Sequence, residues 1–133
     1  MDLNDIRDSF GFFDDWEDKY RFVIDLGKSL PELPEEHRTE ENLVRGCQSQ
    51  VWITTEHVDG RLHFELDSDA HIVRGLISIV LAAYQDQSPD AILAFDIEGL
   101  FDDLDLLKHL SPTRGNGLRS MVNRIQETAR AAA

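Results

Sequence analysis

The chain has 133 residues, enough for one domain with a sizeable core, here read as spanning 1–133. Hydrophobic residues make up 41% and charged residues 29%, which excludes a disordered or fibrous chain. Its 26 acidic against 13 basic residues leave a formal charge of −13, and that charge repels phosphate backbones and anionic lipid, so neither nucleic acid nor a membrane surface is an expected partner.

Residues 3–13 carry Leu3, Ile6, Phe10 and Phe13 at three- and four-residue spacing, which predicts a short amphipathic helix. There is no basic and apolar leader of the signal-peptide kind over residues 1–8. Asp14 with Glu17 three residues on reads as a capping box, and Trp16, Tyr20, Val23, Ile24, Gly27 and Leu30 line one face of the helix behind it. Pro31 and Pro34 stop that helix, and residues 32–42 form a polar, acidic connection.

From Leu43 the period changes. Residues 50–55 are β-branched and aromatic, residues 61–66 alternate polar with apolar, and Asp59-Gly60 between them favours a tight type I′ turn. A β-hairpin follows, extended by a short strand at Leu43-Val44 into a sheet of about three strands. Asp67, Ser68 and Asp69 offer caps for a helix over residues 72–84, which is apolar nearly all round and suits the centre of a small core. Arg74 and Ser78 interrupt it, so it is too short and too polar to span a bilayer. Ser88-Pro89-Asp90 starts another helix, a leucine-rich stretch covers residues 100–110, and a final helix begins with Ser111 or Asn116 as its cap. The layout is α+β, a small antiparallel sheet with helices packed on one face.

The chain holds one cysteine, Cys47, so it forms no intramolecular disulfide and cannot by itself ligate an iron–sulfur cluster or a structural zinc. A single reduced thiol fits the cytosol. Gly46 before it gives the backbone freedom at a bend, and Gln48, Ser49 and Gln50 after it are hydrogen-bonders suited to holding a loop. Arg45, two residues away, is expected to favour thiolate over thiol. The plain alternative is a cysteine that packs as a small hydrophobe, which the polar neighbours make less apt. His37, His57, His63, His71 and His109 show no metal-ligand spacing, although His57 and His63 are placed to face each other across the hairpin. Asp102, Asp103 and Asp105 lack the spacing of a calcium loop and read as an exposed helix face. No cofactor motif is legible.

Gly46-Cys47-Gln48-Ser49-Gln50-Val51-Trp52-Ile53 resembles the signature of the SufE family of sulfur-acceptor proteins, including its CsdE paralogues. Trp16-Glu17-Asp18-Lys19-Tyr20, Leu26-Gly27 and Leu30-Pro31-Glu32-Leu33 resemble the family's second helix and following loop. Asp67-Ser68-Asp69-Ala70, Val73 and Gly75-Leu76 resemble the start of its long helix, and His109-Leu110-Ser111-Pro112-Thr113-Arg114 with Gly117-Leu118 its C-terminal motif. The resemblance implies a fold like that of IscU-type scaffolds. It also implies a carrier that takes sulfur onto Cys47 from a pyridoxal-phosphate cysteine desulfurase of the SufS or CsdA type and passes it to a SufBCD-like scaffold for iron–sulfur cluster assembly. On this reading the chain holds no cofactor and is not an enzyme alone. Cys47 is partly shielded at rest, Arg114 and His109 are candidate contacts to the loop or the partner, Asp69 is a helix cap, and a homodimer stays open. Two rivals remain, a redox-regulatory thiol protein and a non-catalytic adaptor.

Overall fold

A computed structural model describes residues 2–47 and 49–133. In chain order they form α1 (Leu3–Phe12), α2 (Trp16–Lys28), single 3-10 turns over Glu35–His37 and Glu40–Asn42, β1 (Val51–Val58) and β2 (Arg61–Ser68). There follow α3 (His71–Tyr84), α4 (Pro89–Ala94), α5 (Ile97–Asp103), α6 (Leu106–His109) and α7 (Pro112–Ala132). The α+β layout expected from the periodicities is the one found.

Local chemistry sets most of the boundaries. Asp2 and Asp5 cap α1 reciprocally, each accepting from the other's backbone N–H. Helix α2 starts one residue later than its sequence suggests: Asp15, not Asp14, is the cap, accepting from the Asp18 N–H at 2.8 Å, while Phe13 leaves α1 in an extended conformation. Ser88 and Ser111 cap α4 and α7, each followed by proline in the first turn, so the choice between Ser111 and Asn116 falls on Ser111. The leucine-rich stretch is broken into α5 and α6 at Asp105, whose φ is 54°.

The hairpin pairs β1 and β2 antiparallel from Val51↔Ser68 to Val58↔Arg61, closed by Asp59 and Gly60 with φ of 52° and 76°, the two positive values a type I′ turn needs. A two-residue turn sets Glu56 opposite His63 and His57 opposite Leu62, so His57 and His63 are not partners; His63 instead meets Asp86 at 2.8 Å. Among the described residues the sheet has two strands rather than about three, because Leu43-Val44 contributes a single bridge there, Leu43 to Trp52, with the Val44 N–H on Val51 O at 2.8 Å. On the outer edge of β2, the Gln85 side-chain amide stands in for a neighbouring strand: it accepts from the Phe64 N–H and donates to the Phe64 C=O, both at 2.7 Å.

Leu62, Phe64 and Leu66 of β2, with Val51 and Ile53 of β1, are buried and face the core. Helix α3 fills its centre, with Ile77, Ile79, Val80 and Tyr84 fully covered. It crosses α2 so closely that a Cβ on Gly27 would stand 2.7 Å from the Gly75 backbone nitrogen. Helix α7 adds Leu118, Met121, Val122, Ile125 and Ala129. Burial at roughly 25 cal/mol per Å² of apolar surface makes this cluster the main stabilising term.

Candidate functional site

Cys47 lies in the loop 43–50 that leads into β1. The loop bends at Gly46, whose φ of 92° is a left-handed conformation that suits a residue without Cβ. Helix α7 comes close there as well: a Cβ on Gly46 would stand 2.5 Å from Ser120 Oγ, which would have to turn away. One turn earlier on α7, Gly117 faces Cys47, and the Cys47 thiol donates to the Gly117 carbonyl at 3.5 Å. The thiol is therefore partly buried, as the expected shielding requires.

A cavity of about 60 Å³ opens beside the sulfur, lined by Cys47, Ser49, Val73, Thr113, Arg114 and Gly117 among others. A site of roughly 15 Å³ already admits a water molecule, so one more atom the size of sulfur fits without repacking. Thr113 and Arg114 belong to the first turn of α7, where the helix dipole favours negative charge, although Ser111 Oγ already accepts the Arg114 N–H. Arg114 Nη1 donates to the Tyr20 hydroxyl at 3.2 Å.

Burial pushes the Cys47 thiol above its ordinary pKa. The expectation that Arg45 would favour the thiolate is thus corrected: Arg45 is exposed at the turn, and desolvation of the sulfur dominates. The resting group is a protonated thiol bonded to a carbonyl.

The other expected residues divide. Gly46 and Ser49 shape the bend and the cavity, and Arg114 shares the cavity with Cys47. Gln48 lies outside the described residues. Gln50 is tied down through its backbone, its N–H to Asp69 Oδ1 at 3.1 Å and its C=O to the Asp69 N–H at 3.3 Å. Asp69 is therefore a loop anchor, not the helix cap expected: α3 starts after Ala70 with no side-chain cap, and Ser68 Oγ accepts the Ala70 N–H. His109 stands apart from the cavity and stacks on Trp16 with ring centroids 4.3 Å apart. The acids Asp102, Asp103 and Asp105 are exposed as expected. Among the described residues, no cluster of three His, Cys, Asp or Glu could hold a metal ion, and no helix is long and apolar enough to cross a membrane.

Sequence reasoning missed Ser120 and took Gly117 only as part of the C-terminal motif; these are the α7 residues against which the loop rests. Small residues on the inward side of an otherwise regular helix were the available signal. Asp67, read with Ser68 and Asp69 as a cap for the next helix, is instead a carboxylate of β2 that is 0% exposed and paired with Arg74 and Arg38.

Over residues 4–129 the chain matches the family model of SufE, the Fe-S metabolism associated domain. It is 54% identical over 136 aligned positions to an uncharacterized SufE-like protein of Rhizobium etli, covering 98% of this chain and 91% of that one. To an uncharacterized SufE-like protein of Rhizobium meliloti it is 51% identical over 131 positions, covering 96% and 94%. The solution structure of a hypothetical protein from Thermus thermophilus has the same fold, with a TM-score of 0.77 at 20% identity over 98% of this chain and 94% of that one.

Proposed function

Because the chain belongs to the SufE family of Fe-S metabolism domains, we propose that Cys47 is a sulfur acceptor, loaded by a cysteine desulfurase and unloaded onto an iron–sulfur assembly scaffold. The observation that carries this reading is a lone thiol on a pinned loop with room for one further atom beside it. In the transfer, the Cys47 thiolate attacks the terminal sulfur of the donor's persulfide; the donor's S–S bond breaks, its own thiolate leaves, and a new S–S bond forms on Cys47. No electrons are gained or lost overall, so the chain needs no cofactor; the donor's pyridoxal phosphate does the chemistry of releasing sulfur from free cysteine.

The raised pKa of the thiol fits a carrier that is inert until its partner draws the loop off α7. It suits a redox sensor poorly, since such thiols are exposed and acidic. With a single cysteine, no second thiol of the chain can attack the loaded sulfur and release it as sulfide. The chain acts as a carrier and activator in the cytosol rather than as an enzyme by itself.

Incubation with a SufS- or CsdA-type desulfurase and cysteine tests this. The expected result is a mass increase of one sulfur atom, located on Cys47 and absent in Cys47→Ser. Equal stimulation of the desulfurase by Cys47→Ser would leave only the adaptor reading.

A further inference from the structure

The acceptor loop leaves and re-enters the fold at a neck that the sulfur chemistry does not explain. Trp52 of β1 and Asp67 of β2 are directly paired there, so their side chains stand on the same face of the hairpin. Asp67 is fully buried. Its Oδ1 accepts from Arg74 and, at 2.8 Å, from the Ser68 N–H; its Oδ2 accepts from the Leu33 N–H at 2.9 Å and from Arg38 Nη2 at 2.7 Å.

Arg38 touches both halves of the pair. While bonded to Asp67, its guanidinium lies 5.1 Å from the centroid of the Trp52 ring, and its Nε donates to the Leu33 C=O at 3.2 Å. A planar cation that stacks on one strand and bonds the other is a task for arginine; lysine has charge but no plate. Trp52 in turn bridges Leu43 at the start of the loop, and Asp69, two residues from Asp67, holds Gln50 at its end. Both ends of the loop are thus fixed to residues at, or two positions from, the one pair that Arg38 spans.

Stability alone is a weak reason for this arrangement, because well-packed apolar side chains often serve as well as a buried ion pair. We propose that Arg38 is a positioning residue for the acceptor loop, clamping Trp52 to Asp67 so that Cys47 is held against Gly117 of α7. Loosening the clamp lets the loop leave α7 while the core stays folded. The inference builds on Cys47 as the reacting group, but its readout is thiol alkylation, which involves neither a desulfurase nor a persulfide. A failure of the sulfur-carrier reading is therefore separable from a failure of this one.

The test compares Arg38→Gln and Arg38→Lys with the parent protein, measuring the rate of Cys47 alkylation by iodoacetamide across pH, in water, with urea midpoints recorded alongside. Val80→Ala, a core change remote from the clamp, serves as a destabilised control. For Arg38→Gln the expected rate rises roughly fivefold at neutral pH, as local opening exposes the thiol, and the pH midpoint of alkylation moves down toward that of a free thiol. Arg38→Lys falls between Arg38→Gln and the parent, and Val80→Ala leaves rate and midpoint unchanged. If Arg38→Gln does not fold, Trp52→Leu, which removes the plate and keeps the ion pair, is expected to show the same rise. Parent-like rates and pH midpoints in the folded clamp variants, or an equal rise in Val80→Ala, would overturn the proposal.

Discussion

The hairpin has a tight, glycine-containing bend at each end, and the two bends are stabilised by different means. At the far end, Asp59 and Gly60 take positive φ angles with nothing within 4 Å of where a Gly60 Cβ would stand. That turn is local: two residues suited to left-handed backbone close a register that the strands then extend. At the near end, Gly46 also takes a positive φ, but it is pressed on Ser120 of α7, and its neighbour Cys47 on Gly117. The near bend is held from outside itself, by a helix and by the Asp67 cluster. A loop held by distant contacts can be released by disturbing those contacts, whereas the far turn is closed by its own two residues, and contacts from outside the hairpin begin only at Leu62, which bonds Asp86 and Gln87. A group that must be sheltered and then delivered belongs on the first kind.

The sharpest way to break this contrast is at Asp67. Asp67→Ala leaves the Arg74 and Arg38 guanidinium groups without their buried partner and is expected to cost about 3–5 kcal/mol in urea unfolding. A loss below about 1 kcal/mol, the scale of an exposed ion pair, would mean that the near end is not held through this carboxylate.

The same group sets an acid limit. Burial alone would raise the Asp67 pKa, but the Leu33 and Ser68 N–H groups and the charges of Arg74 and Arg38 outweigh it and leave the carboxyl below its ordinary value. A carboxyl depressed in the folded state contributes stability in full above its unfolded pKa of about 4, and loses it as pH falls through the folded value. Urea midpoints of the parent should therefore drop steeply below about pH 4, and those of Asp67→Asn less steeply.

The two glycines give a direct comparison. Gly46→Ala is expected to cost about 2–3 kcal/mol, the left-handed penalty plus displacement of Ser120 Oγ, and Gly60→Ala only about 1 kcal/mol, the penalty alone. Adding Ser120→Ala to Gly46→Ala should recover the displacement part and no more. Equal costs at the two glycines would show that α7 does not press on the loop.

The smallest effect concerns the thiol. With the Cys47 pKa raised by burial, its alkylation should have a pH midpoint above the ordinary thiol value of about 8.5 in the folded protein and return to that value in urea. A folded-state midpoint at or below the unfolded one would mean that the sulfur is already released from α7.

Much of this architecture could be read along the chain. Helix starts at Ser88 and Ser111, the Asp59-Gly60 turn, the apolar helix 72–84 and a lone cysteine after a glycine are all signals confined to a few consecutive residues. Where the reading slipped, neighbours far away had the deciding voice. Asp69 is well suited to cap α3 but bonds Gln50 instead, and Leu43-Val44 has strand character but makes a single bridge because the chain bends away at Gly46.

Sequence by itself determined the α+β layout, the tight turn and the identity of the one nucleophilic sulfur, because capping, periodicity and turn propensity act within a turn or two of the chain. Only the tertiary structure decided that the sulfur rests protonated on α7 and that Arg38 spans the neck of its loop. The partners in those contacts stand 70 and 29 residues apart, and burial, which sets both the thiol's pKa and the strength of the carboxylate's bonds, exists only once those distant segments have packed.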